Sequence, residues 1–79
     1  MNTDKLRDAF TKSLELDPSV DVTVLKYREI PEWDSIGHMA LVASIEDAFD
    51  VMLTTDQVIA LSSFQAAVDI LKDHSVTDL

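Results

Sequence analysis

A chain of 79 residues with one glycine and two prolines has little with which to build tight turns, so it is confined to helices joined by few connections. The apolar residues agree. Leu6, Phe10 and Leu14 recur every four residues and predict one apolar stripe on a helix over residues 3–16. Asn2 or Thr3 is placed to cap its start. Asp17 precedes Pro18, and a residue before proline is biased out of the helical region, so the helix should stop there.

Residues 17–33 read as a long irregular connection. Val20, Val22 and Val24 alternate with Asp21 and Thr23, but a lone strand would have no partner and would be unstable. The apolar anchors of this loop should be Val24, Leu25, Ile30 and Trp33. A loop this long in a small domain is often functional. The second helix should open with Asp34 as N-cap and run to Phe49. Thr54 and Gln57 fit a capping box and predict a short helix over residues 55–60. Ser62 and Gln65 repeat the box ahead of Phe64, Ala67, Val68 and Leu71 at helical spacing. The expected fold is an all-α four-helix bundle with three longer helices, a short third helix and a long loop between helices 1 and 2. Residues 1–79 form one domain, with Phe49 central to its core and the tail 74–79 frayed and His74 solvated.

Charge narrows the function classes. The net charge is −9, and it is uneven. Residues 1–28 hold five bases and five acids, whereas residues 29–79 hold ten acids and Lys72 alone as a base. The acidic part should repel nucleic-acid phosphates and anionic membranes and attract basic protein surfaces. Cysteine is absent, which excludes disulfides and thiolate metal sites. No apolar run approaches the roughly 20 residues of a membrane span, and the first ten residues have no signal-peptide character. A cytoplasmic monomer, with no nucleic acid and no membrane insertion, is the expectation.

The second helix carries more apolar residues than a core requires. Leu41, Val42, Ile45, Ala48 and Phe49 lie at core spacing, and Ile36, Met39, Ala40 and Ala43 form a second set. Two readings stand for Ile36 and Met39: an exposed docking patch rimmed by acids, or packing under the long loop. Ser35 falls in the first helical turn, where unpaired N–H groups and the helix dipole favour a phosphate.

The segment EWDSIGHMALVASIEDAFD, residues 32–50, resembles the phosphopantetheine attachment segment of acyl carrier proteins. The family's Asp-Ser-Leu reads here Asp34-Ser35-Ile36. Its apolar positions, closing acids and Phe-Asp are matched by Leu41, Val42, Ile45, Glu46, Asp47, Phe49 and Asp50, and SSFQAAVDIL is similar to its closing helix. The resemblance implies a carrier that is not itself an enzyme. Ser35 would be the attachment site for 4'-phosphopantetheine, delivered from coenzyme A by a phosphopantetheinyl transferase, and Asp34 the helix cap. Acyl groups would ride as thioesters on the distal thiol, and the core would open to admit an acyl chain in some states. Ile36, Met39, Glu46, Asp47 and Asp56 would meet partners: acyl-activating enzymes, acyltransferases or synthases with basic or apolar docking surfaces. The pathway would be fatty-acid, polyketide or another specialised acyl synthesis. Gly37 and Ala40 stand where the fatty-acid type usually presents acids, the third helix keeps only Asp56, and Trp33 replaces a smaller residue. These departures imply a carrier for a specialised pathway. Gly37 costs roughly 1 kcal/mol in a helix relative to alanine. It either admits a partner's backbone or is simply tolerated.

Other readings are weaker. A hydrolase would need Ser35 and His38 as nucleophile and base, but no oxyanion site or orienting acid is evident. A calcium loop starting at Asp17, Ser19 and Asp21 fails, with Val22 at the turn glycine and Arg28 at the bidentate glutamate. A small acidic interaction module without cofactor is the serious alternative.

Overall fold

The computed structural model describes residues 2–79. It is all-helical, with four helices: α1 (Asn2–Ser13), α2 (Ser35–Phe49), α3 (Thr55–Ala60) and α4 (Phe64–Asp73). A 3₁₀ turn at Val22–Val24 interrupts the α1–α2 connection, and the described residues contain no strand. One isolated antiparallel bridge joins Lys26 to Ser63. No helix among the described residues is long and apolar enough to cross a membrane.

Each helix limit has a local cause. α1 ends at Ser13, earlier than the proline signal suggested, because Glu15 turns left-handed at φ 53°. Asn2 and Thr3 do not cap α1. They lie inside it, and their side chains donate to the carbonyls of Thr77 (2.7 Å) and Asp78 (3.4 Å). Asp34 caps α2 as expected, its carboxylate accepting from Gly37 N–H at 2.8 Å. Left-handed Asp50, at φ 52°, closes it. Thr54 and Gln57 make the full capping box of α3. The cap of α4 is Ser63, accepting from Ala66 N–H, one residue later than the Ser62–Gln65 pattern indicated. The bridge from Lys26 to Ser63 extends the chain there and puts Ser63 in the cap position.

The core centres on aromatics contributed by α1, the connection and α4. Phe10, Trp33, Leu6, Leu41 and Leu71 have no exposed surface, and Ile45 and Leu61 nearly none. Phe10 meets Trp33 edge-on at 5.5 Å between centroids and Phe64 at 5.3 Å. Phe49 is not the centre of this core. It is half-buried at the last position of α2, with Lys5 Nζ 5.2 Å from its ring. Among the loop anchors, Leu25 and Trp33 are buried and Ile30 is partly buried, but Val24 is 65% exposed. Val22 is buried instead, because a 3₁₀ turn separates residues i and i+2 that a strand would place on one face.

The tail, expected to fray, folds back on the helices. Val76 and Leu79 pack partly buried against the core, and Val76 N–H donates to Leu71 O at 3.0 Å. His74 is half-buried, its Nε2 2.9 Å from Gln57 Oε1.

Candidate functional site

The first turn of α2 and the last residues of the connection form one surface around Ser35. Ser35 is exposed at the first helical position, directly after its cap Asp34. An open groove of about 420 Å³ runs from Arg28 past Ile30 and Pro31 to Ser35 and Ile36. Ile36 is 82% exposed and Met39 57% exposed, and Ala40 and Ala43 are exposed beside them. The second apolar set of α2 thus faces outward, while Leu41, Val42 and Ile45 face the core.

Tyr27 and Arg28 reach the same hydroxyl. Arg28 Nη2 donates to Ser35 Oγ at 3.3 Å, and Tyr27 Oη lies 3.4 Å from it. The sequence does not announce either residue. Their backbone is placed by remote partners: Tyr27 N–H donates to Ser62 O at 2.8 Å and Arg28 N–H to Trp33 O at 3.0 Å. Arg28 is held left-handed at φ 66° and its guanidinium lies 5.5 Å from the Tyr27 ring centroid. Contact with Ser35, and then with Arg28, holds the Tyr27 hydroxyl below the usual phenol range. Arg28 is raised in turn by Tyr27. Nothing local in the sequence marks Arg28 as left-handed, so no sequence signal pointed to the cluster.

His38 is turned away from this chemistry. Trp33 Nε1–H can only donate, and it reaches His38 Nδ1 at 3.0 Å. Nδ1 is therefore the acceptor, Nε2 carries the proton, and Nε2–H donates to Val58 O at 2.8 Å. Both ring nitrogens are engaged, so His38 does not serve Ser35 as a base in this arrangement. It joins the buried Trp33 to α3.

Gly37 has a role the sequence left open, and the approaching backbone is the chain's own. A Cβ there would run into the Glu32 carbonyl oxygen and come within 3.2 Å of Leu14 Cδ2. The glycine lets the connection lie against α2 immediately before Ser35.

The expected partner acids divide. Asp47 and Asp56 are exposed. Glu46 is half-buried, and its Oε2 accepts from Leu53 N–H at 2.9 Å. Its carboxylate braces the α2–α3 connection. Asp17 and Asp21 close turns rather than hold a cation: Asp17 takes the N–H and hydroxyl of Ser19, and Asp21 those of Thr23. No group of three histidine or acidic side chains among the described residues is arranged to hold a metal. No protein-family model matches the chain, and neither a curated protein nor a solved structure matches it.

Proposed function

We propose that this chain is an acyl carrier protein, a four-helix bundle that bears 4'-phosphopantetheine on Ser35 and presents acyl groups to partner enzymes. The observation that carries this reading is the exposed Ser35 hydroxyl at the first position of α2, between its cap Asp34 and the exposed Ile36 and Met39. The residues fit the group. Ser35 is exposed, a groove opens beside it, and two donors lie within reach of its Oγ. In the modification Ser35 Oγ attacks a phosphorus of coenzyme A's pyrophosphate. The Oγ–P bond forms, the P–O bond to the adenosine bisphosphate breaks, and the hydroxyl proton leaves to a base of the transferase. When bound, the group supplies a thiol on a long flexible arm, which holds an acyl chain as a thioester.

The chain's own residues orient and present. Asp34 caps α2 and fixes the turn that exposes Ser35. Ile36 and Met39 offer an apolar surface, with Asp47 and Asp56 as exposed acids farther along. Such acids steer encounter with basic partners. With Gly37 committed to internal packing and Ala40 uncharged, docking near Ser35 relies on apolar contact, which favours a specialised pathway. The partners are a phosphopantetheinyl transferase and acyl-activating, acyltransferase or synthase enzymes, met by a cytoplasmic monomer.

The test is intact mass after incubation with coenzyme A and a broad-specificity transferase. One phosphopantetheine should add to the wild type and none to Ser35→Ala. Addition that persists in Ser35→Ala would move the site, and no addition with several transferases would leave an acidic interaction module.

A further inference from the structure

We infer that Tyr27 and Arg28 form a clamp that holds the phosphodiester esterified to Ser35 and so fixes the direction in which the arm leaves the protein. The inference rests on Ser35 as the attachment point. Its ground is the spacing of the donors. Arg28 Nη2 and Tyr27 Oη stand 3.3 and 3.4 Å from Ser35 Oγ, long for hydrogen bonds to a hydroxyl. Non-bridging phosphate oxygens stand two bonds from Oγ, beyond the phosphorus, and leave room for donors at that distance. A guanidinium and a phenol then face an anion, the pairing in which arginine bonds most strongly.

The surroundings make such a cation necessary. Residues 29–79 carry a net −9, and Asp34 lies beside Ser35. The first turn of α2 has already committed its donors in part: Gly37 N–H is taken by the Asp34 carboxylate and His38 N–H by Asp34 O at 2.8 Å. A phosphodiester at this position meets like charge, and Arg28 is the base that contacts the hydroxyl. Its placement is also built rather than incidental. Arg28 occupies a left-handed conformation that L-residues adopt at a cost, away from any helix end. Three backbone bonds hold that turn: Tyr27 to Ser62, Arg28 to Trp33 and Glu29 to Lys26. Observed strain of this kind gathers at functional positions.

The experiment is phosphorus NMR on protein driven to complete modification, as verified by mass. The variants are Arg28→Asn, which tolerates the left-handed backbone, Arg28→Lys and Tyr27→Phe. The phosphorus resonance of the folded wild type should be displaced from that of the same protein unfolded in urea. Arg28→Asn should lose most of that displacement, Arg28→Lys should recover part of it, and Tyr27→Phe should lose a smaller share. The Tyr27 phenol should titrate higher after modification than before, since an adjacent anion disfavours the phenolate. A phosphorus resonance and a Tyr27 titration unchanged in folded Arg28→Asn would overturn the clamp and leave Ser35 as the site. A wild type that accepts no group would overturn both.

Discussion

The connection between α1 and α2 has two halves that are held in opposite ways. Its outer half, residues 17–24, takes its side-chain hydrogen bonds from within itself and reaches the core through buried Val22. Asp17 closes on Ser19 and Asp21 on Thr23, each two residues away, and all four bonds are exposed or near the surface. Its inner half, residues 26–33, is tied to everything else. Tyr27 bonds Ser62, Trp33 bonds His38 and packs on Phe10, and the Glu32 carbonyl fits against Gly37. A locally held turn costs little to form and little to lose. A segment held by tertiary contacts exists only when the whole chain is folded, and it is that segment that reaches Ser35.

The comparison breaks most visibly at Trp33, which has no exposed surface. Removing a buried aromatic costs about 3–5 kcal/mol, a large part of the 5–15 kcal/mol or so of a whole domain. Trp33→Ala should lose cooperative unfolding in urea and its near-ultraviolet dichroism, while helical dichroism falls less. A wild-type midpoint would mean that the inner half is not part of the core.

Gly37→Ala sharpens the same point, because two principles predict opposite signs. Helix propensity favours alanine by about 1 kcal/mol. Overpacking against the Glu32 carbonyl opposes it by about 1–3 kcal/mol, and a backbone atom cannot swing aside as a side chain can. The variant should melt several degrees lower than wild type. A higher melting temperature would show that the connection does not lie against α2.

The smallest effect belongs to the outer half. The Ser19 N–H, and then its hydroxyl, hold the Asp17 carboxyl below its ordinary value of 3.8. A carboxyl lowered on folding contributes stability that is fully present above the unfolded value and is lost as pH falls through the folded one. The difference in stability between wild type and Asp17→Asn should therefore be small above pH 4 and should vanish on further acidification. A difference that grows below pH 4 would reverse the sign.

These contrasts explain what could be read from the sequence. Asp34, Thr54 and Gln57 act on residues three places away, so the starts of α2 and α3 were visible in the spelling of the chain. The second set of Ile36, Met39, Ala40 and Ala43 was visible as a surplus over what a core needs, but whether Ile36 and Met39 faced solvent or the loop was not. Tyr27 and Arg28 were not, because a carbonyl of Ser62 and a left-handed residue place them. Phe49 misled for a related reason. Its spacing matches the core stripe, but the helix ends there and its ring meets Lys5 instead. Gly37 looked like a weakness of α2 until the neighbouring carbonyl was located.

α3 buries none of its six residues outright, yet it is bracketed by buried Leu53 and Leu61. What fastens its body are partly buried Val58 and two imidazoles, His38 on the Val58 carbonyl and His74 on the Gln57 amide. With no residue buried outright, α3 has the least apolar anchorage of the four helices, the mark of an element with low local stability. One of the two imidazoles that hold it sits a single helical turn from Ser35.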